Sequence, residues 1–145
     1  MVCGDTDLRE EKGELRYEKS EFIISNNLMK HNFKNLDIWK RSKSLAIQIY
    51  QETATFPDHE KYGLTSQIRR CAVSVPSNIA EGCGHASSKE LSHFLDISIG
   101  SLCELESLLL IAKELNDIEM ASSDQLIDEV ITLRKMTIGF KNTIK

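Results

Sequence analysis

Aromatic residues, prolines and glycines are all scarce in this chain of 145 residues. Aromatic side chains make up 6% of it, and there are two prolines and seven glycines. A β-sandwich or barrel of this length carries more turn residues and more aromatic and β-branched runs. Leu, Ile, Glu and Lys are abundant instead, a composition typical of helical proteins. We therefore expect one all-helical domain with a single modest core.

The sequence also lacks a membrane span, an export signal and a metal-binding motif. No apolar run approaches the roughly 18 residues that a spanning helix needs. The acidic N-terminus has neither the basic nor the apolar region of a signal peptide, so we expect a cytoplasmic protein. The four cysteines form no CxxC pair and the histidines show no HxxxH spacing, which favours reduced, packed thiols over zinc. Cys83-Gly84-His85 is the one arrangement of such residues that a metal site could use.

Catalytic motifs are missing as well. There is no P-loop and no G-x-S-x-G sequence. Glu104 and Glu106 are two residues apart, so on a helix they point to different sides. Glu90-x-x-His93 supplies only half of the ligands of a helix-bundle di-iron site. We expect a protein that is not an enzyme and needs no cofactor.

The net charge of −4 is unevenly distributed along the chain. Residues 29–75 carry eight Lys or Arg and four Asp or Glu, whereas residues 76–145 carry six and eleven. This asymmetry is compatible with a basic face that binds nucleic acid. It is equally compatible with opposite faces that meet inside an oligomer, and charge alone does not choose between the two.

Helical periodicity predicts one domain over residues 31–145, after a flexible N-terminal extension over residues 1–30. The first 28 residues are polar without a sustained period, and Met29 is a candidate natural start. Apolar residues recur at helical spacing in four stretches, at about 36–53, 62–81, 88–115 and 124–143. Short connections between helices favour antiparallel neighbours. The predicted fold is an all-α, antiparallel up-down four-helix bundle.

Three features in the middle of this pattern predict where a helix bends, ends or begins. Pro76 lies inside the second helical stretch, and because the apolar row resumes in phase at Ile79, we expect a kink rather than a break. The glycines of Gly82-Cys83-Gly84-His85 are expected to form the turn that ends this helix. Ser87 and Glu90 have the spacing of a capping box, which predicts the start of the third helix.

The third helix carries two apolar rows. The first runs from Leu91 to Ala112 in steps of four and three, as core residues do. The second consists of Phe94, Ile97, Leu108, Ile111 and Leu115. Two apolar faces exceed what the edge of a monomeric bundle needs, so the second row is a candidate oligomer interface.

Six basic residues are the best candidates for a functional surface. They are Lys40, Arg41, Lys43, Lys61, Arg69 and Arg70. Arginine makes forked contacts to phosphate, and such clusters give sequence-independent affinity for nucleic acid. The plainer alternative is a solvated face or ion pairs to the acidic later helices. No aromatic platform is expected beside these residues, so stacking on single strands is not predicted.

Several long motifs resemble one known family. They are FKNLDIW at 33–39, YGLTSQIRR at 62–70 and SNIAEG at 77–82. In these motifs the chain resembles the four-helix bundle proteins encoded in 23S rRNA intervening sequences. The resemblance implies a bacterial homo-pentamer, related to the pentameric accessory proteins of diversity-generating retroelements. It points to Lys40, Arg69 and Arg70 as nucleic-acid contacts.

Two functions of different class follow as expectations. The first is an oligomeric, non-enzymatic bundle that binds RNA or a ribonucleoprotein through its basic surface. The second is a structural or protein-interaction scaffold without a nucleic-acid role. The scaffold alternative predicts that Arg69 and Arg70 lie in subunit contacts against acidic residues such as Glu104 or Glu106. Neither function involves a membrane or a small-molecule substrate.

Overall fold

Four α-helices make up the folded part of the chain in a computed structural model that describes residues 31–145. They are α1 (Asp37–Thr53), α2 (Leu64–Gly84), α3 (Ser88–Glu114) and α4 (Met120–Asn142). Short 3₁₀ turns at Phe33–Asn35 and Asp58–Glu60 precede α1 and α2, and residues 31–145 contain no strand. The all-α prediction is confirmed. The extension over residues 1–30 and a start at Met29 lie outside the described residues.

The helices form a closed antiparallel arrangement. Each helix packs on the next one along the chain, and α4 also packs on α1. Three short connections, the longest running from residue 54 to 63, leave room only for antiparallel neighbours. The first apolar row of α3 lies fully in the core, from Leu91 at one end to Ala112 at the other. The predicted four-helix bundle is therefore confirmed.

Gly82 does not belong to a turn, and this prediction from the sequence was wrong. Helix α2 continues through Gly82 and ends at Gly84, and neither glycine has a positive φ. A Cβ atom on Gly82 would lie 2.9 Å from Cβ of Phe94 and 3.0 Å from Cδ1 of Leu91. The absent side chain therefore allows α2 and α3 to approach each other closely. Ser87 does cap α3, since its Oγ accepts a hydrogen bond from the Lys89 N–H over 3.2 Å.

Helix α2 is also continuous through Pro76. A proline at this position removes the hydrogen bond to the carbonyl of Ala72. Polar side chains join α2 to α3 around it, because the buried Ser98 hydroxyl donates to the carbonyl of Val75 over 3.0 Å. The hydroxyls of Ser74 and Ser101 lie 2.8 Å apart. These contacts fix the orientation of α2, and therefore which of its side chains face outwards.

The last helix begins earlier than predicted. Asn116 has a φ of 56°, and the N–H of Asp117 donates to the carbonyl of Ala112 over 3.0 Å, which is the Schellman arrangement at the end of a helix. Helix α4 then starts at Met120, whereas the loop was expected to reach Ser123. Serine favours caps and loops, but Ser123 is buried in the first turn and donates its N–H to the carbonyl of Glu119.

Candidate nucleic-acid interface

The six basic candidates do not share one surface. Lys40 and Arg41 line a depression between α1 and α4. The other four line two adjoining depressions between α1 and α2, and we name this surface the α1–α2 face. The residues that line it include Lys43, Ile47, Tyr50, Lys61, Tyr62, Thr65, Arg69, Arg70, Val73 and Pro76. Helix packing therefore separates residues that the sequence places close together.

Arg41 forms an ion pair on the far side of α1. Its Nε and Nη2 atoms donate to the two carboxylate oxygens of Glu129 on α4, over 2.8 and 2.7 Å. This forked hydrogen bond to a carboxylate raises the pKa of Arg41 above its ordinary value. The charge of Arg41 is balanced within the bundle, where it joins α1 to α4.

Arg69 connects α2 to the end of α1. Its Nε donates to Oγ1 of Thr53 over 2.8 Å, and its Nη2 donates to the carbonyl of Tyr50 over 3.4 Å. That carbonyl belongs to the last turn of α1, where backbone carbonyls have no backbone N–H partner within the helix. The guanidinium carbon lies 4.7 Å from the centre of the Tyr50 ring. Arg69 therefore stabilises the helix end and holds the Tyr50 ring in place.

The other three basic side chains of the α1–α2 face are exposed. Within residues 31–145, Lys43, Lys61 and Arg70 make no hydrogen bond or ion pair through their side chains. Lys43 places its Nζ 5.3 Å from the Trp39 ring centre, and Lys61 places its Nζ 5.5 Å from that of Tyr62. These are cation–π contacts, which leave the charge without a balancing carboxylate. All three charges are available to a ligand.

Two aromatic rings lie among these charges, so the prediction of no aromatic platform was wrong. Tyr62 is 90% exposed and Tyr50 is 47% exposed. Both line the depression that also contains Lys61, Arg69 and Arg70. Tyr50 comes from α1 and Tyr62 from the connection before α2, so only the packing of the two helices brings them together. The one signal in the sequence was the adjacency of Lys61 and Tyr62.

Carboxylates are absent from the lining of the α1–α2 face. The two depressions share Tyr50 and Val73, and none of the residues that line them is Asp or Glu. The ion pairs between helices within residues 31–145 all involve α4, which pairs once with α1 and three times with α3. Four carboxylates are thus paired at the contacts of α4, whereas no carboxylate lines the α1–α2 face beside its basic side chains.

The candidate oligomer residues on α3 fall into two groups. Ile97, Ile111 and Leu115 are exposed, and Leu115 is 54% exposed. Phe94 and Leu108 are half-buried: Phe94 stacks on His85 with ring centres 5.2 Å apart, and Leu108 packs on the core. Leu110, which the sequence pattern did not single out, is also exposed. The end of α3 near Leu115 therefore presents apolar surface to the exterior.

Glu106, an expected partner for the arginines of α2, is engaged elsewhere. Its carboxylate accepts a hydrogen bond from Arg134 of α4, which raises the pKa of that arginine. Glu104 is exposed and lies near the Cys71 thiol. Neither carboxylate forms an ion pair with Arg69 or Arg70 within the described chain.

The cysteines differ in their environments. Cys71 and Cys83 are buried, and burial raises the pKa of Cys71 to about 12 and that of Cys83 to about 11. Cys103 is exposed, unlike the packed thiol expected from the sequence. His85 is exposed while Cys83 is not, and no three His, Cys, Asp or Glu side chains converge in residues 31–145. No helix in this part of the chain has the length and apolarity to span a membrane.

The fold and the α1–α2 face define a four-helix bundle protein with an uncompensated basic groove. The model of the 23S rRNA-intervening sequence protein family matches residues 34–139, and the chain belongs to this family. The fold is similar to the crystal structure of a protein with unknown function from the S23 ribosomal protein family of Bacteroides thetaiotaomicron VPI-5482. The TM-score is 0.68 at 19% identity, with 73% of this chain and 99% of that chain covered. Comparison with curated proteins finds no match.

Proposed function

We propose that this protein is a non-enzymatic, homo-oligomeric bundle that binds RNA, alone or in a ribonucleoprotein, through its α1–α2 face. One observation carries the proposal: four basic side chains and no carboxylate line this face in a chain of net charge −4. Phosphate contacts from Lys and Arg supply most of the sequence-independent affinity for nucleic acids. The protein acts in the cytoplasm and needs no cofactor.

The three free charges are well suited to phosphate. Arg70 offers a planar fork of donors that matches phosphate oxygens, and Lys43 and Lys61 are point charges on flexible stems. Arg69 holds Tyr50 and the end of α1, so it shapes the surface rather than contributing a free charge. The family's name ties its members to intervening sequences of 23S rRNA, which makes structured RNA the first ligand to test.

Oligomerisation would multiply this small basic surface. Exposed Ile97, Ile111 and Leu115 give α3 apolar area for a contact between subunits, and a pentamer is the assembly we propose. Three free charges per subunit give weak binding alone. Their repetition around a ring places several such groups on one RNA, which raises the overall affinity.

A salt titration of RNA binding tests the proposal. The RNA is a fluorescent hairpin with a single-stranded loop, and the variant is Lys43→Ala, Lys61→Ala, Arg70→Ala. The matched control is Lys89→Ala, Lys135→Ala, Lys145→Ala, which removes the same charge from exposed positions elsewhere. We expect the variant to reduce the salt slope of log K by about 2 or more and the control to leave it nearly unchanged. Salt-independent binding, or equal losses in both variants, would contradict the proposal.

A scaffold without a nucleic-acid role is the second candidate function. The exposed apolar residues on α3 favour it, because such surface is typical of protein contacts. This candidate predicts two different outcomes in the RNA titration. RNA does not bind the wild type, and neither triple variant differs from the wild type. Native mass spectrometry of Ile111→Glu, Leu115→Glu tests the contact itself, since two buried carboxylates in a subunit interface should dissociate the oligomer.

A further inference from the structure

Tyr62 is an aromatic side chain that contributes little to its own fold. It is 90% exposed, and its ring contacts the flexible ammonium group of Lys61. It borders a depression of about 480 Å³ whose other aromatic wall is Tyr50, held by the Arg69 guanidinium. A volume of this size is within the range of about 300–1,000 Å³ that is usual for ligand-binding pockets.

One of the residues that line the same depression has a polar atom without a partner. Thr65 is 7% exposed and lines the depression, and its hydroxyl oxygen has no hydrogen-bond partner within residues 31–145. Buried hydroxyls in folded proteins nearly always have a partner, so an unpartnered one in the wall of a cleft calls for an explanation. The oxygen itself is enclosed, so a ligand with hydrogen-bonding edges would reach it after a rotation of the Thr65 side chain about χ1.

We propose that the depression between Tyr50 and Tyr62 binds an unpaired nucleobase of a single-stranded RNA segment, an inference that rests on the RNA-binding function proposed above. The base stacks on Tyr62, and the flanking phosphates contact Lys61 and Arg70. The polar edge of the base bonds the Thr65 hydroxyl once that side chain has rotated towards the depression. Sequence-tolerant stacking on aromatic rings beside a basic groove is the usual way in which proteins hold single strands.

Base-paired RNA does not fit this arrangement. In a duplex the faces of the bases are covered by their neighbours, and the deep, narrow major groove keeps side chains from the base edges. A duplex could contact only the charges of the α1–α2 face. Tyr62 and Thr65 would then contribute nothing, so the two kinds of RNA distinguish the stacking site from general phosphate binding.

The test measures fluorescence anisotropy with an RNA of about 12 nucleotides, alone and annealed to its complement, at physiological salt. The variants are Tyr62→Ala and Tyr62→Phe, and Thr65→Val removes the hydroxyl while keeping the shape of the side chain. We expect the wild type to prefer the single strand. Tyr62→Ala should weaken single-strand binding about 10-fold without changing the salt slope, and Tyr62→Phe should retain it. Thr65→Val should weaken single-strand binding by a smaller factor and leave duplex binding unchanged.

The outcomes separate the stacking site from RNA binding as such. If single-stranded and duplex RNA bind equally, or Tyr62→Ala weakens both to the same extent, the stacking site is wrong and RNA binding stands. If neither RNA binds, both proposals fail. A DNA strand of the same sequence forms a further arm, in which binding as tight as that of RNA would contradict RNA as the ligand. Thermal unfolding of each variant controls for folding. Because Tyr62 is exposed, we expect its variants to unfold at the same temperature as the wild type.

Discussion

The Nε atom of Arg69 donates a hydrogen bond to Oγ1 of Thr53, and the two atoms lie 2.8 Å apart. Thr53 is itself buried and donates to the carbonyl of Ile49 over 2.7 Å. The contact joins the second turn of α2 to the last residue of α1. The neighbouring Arg70 makes no such bond within residues 31–145 and is exposed. Adjacent arginines in the sequence therefore have different roles.

This difference predicts opposite phenotypes for the two arginines. Arg69→Ala should lower the free energy of unfolding by about 1–2 kcal/mol, because it removes a charged hydrogen bond and a cation–π contact. Arg70→Ala should change it by less than about 0.5 kcal/mol, as exposed substitutions do, while it weakens RNA binding. Urea unfolding at matched protein concentrations measures both. Equal destabilisation by the two variants would contradict the assignment.

Gly82→Ala should destabilise the bundle by about 1–3 kcal/mol. The added methyl group would lie 2.9 Å from Cβ of Phe94, an atom close to the backbone that cannot rotate away, so α2 and α3 must move apart. Gly139→Ala is the matched control in α4, where an added Cβ meets nothing within 4 Å. It should stabilise the protein by about 0.5–1 kcal/mol, because alanine loses less conformational entropy in a helix. Urea unfolding measures both variants. If both change the free energy of unfolding in the same direction, the close approach of α2 and α3 at Gly82 would be refuted.

The Arg41–Glu129 pair should contribute to stability and not to RNA binding. A double-mutant cycle with Arg41→Ala and Glu129→Ala should give a coupling energy of about 0.2–1 kcal/mol, since the pair is partly exposed. RNA affinity should stay within about twofold of the wild type for Arg41→Ala, because its charge is balanced on the other side of α1. A loss of affinity as large as that of Arg70→Ala would instead place RNA on the α1–α4 side.

Thiol reactivity should follow burial. In a Cys3→Ser background, iodoacetamide at a pH of about 8 should modify Cys103 rapidly and leave Cys71 and Cys83 unmodified until the protein unfolds. Mass spectrometry of the alkylated peptides identifies the site. Rapid modification of Cys71 would show that the contact between α2 and α3 opens more readily than its packing implies.

Alkaline pH should destabilise the fold through the same two thiols. The folded-state pKa is raised to about 12 for Cys71 and about 11 for Cys83, so above the ordinary thiol value the unfolded chain loses protons that the folded chain keeps. Stability is therefore fully present below a pH of about 9 and falls as pH rises above it, by up to about 1.4 kcal/mol per pH unit for each thiol. Cys71→Ala, Cys83→Ala should remove this component. If the pH dependence of stability is unchanged in that variant, the two thiols are not the cause of the alkaline destabilisation.

Apolar periodicity was sufficient to predict the bundle but not its helix ends. The row from Leu91 to Ala112 is buried as predicted, because helical spacing alone determines which residues share a face. Gly82 was misinterpreted because glycine is common both in turns and at close contacts between helices. The structure shows that Gly82 lies at a close contact between helices, against Phe94 and Leu91 of α3. The sequence around Gly82 contains no information about this neighbouring helix.

The candidate site was only partly predictable for the same reason. Charge runs in the sequence identify Lys61, Arg69 and Arg70 as basic neighbours, but they do not show that Arg41 is paired with Glu129, 88 residues away. The aromatic walls were missed because Tyr50 lies in α1, before a connection of ten residues, and Tyr62 lies at its end. Surfaces built across two helices depend on packing, which no single helical pattern encodes.

Photo-cross-linking tests the central claim most directly, because it reports where RNA touches the protein. A single-stranded RNA that carries 5-iodouridine is irradiated in complex with the full chain, and mass spectrometry locates the cross-linked residue. We expect cross-links at Tyr62 or Tyr50. In the Tyr62→Ala variant the cross-link at position 62 should be lost, while RNA still binds through Lys43 and Arg70, about 10-fold more weakly. Cross-links confined to residues 89–142, on α3 and α4, would contradict it.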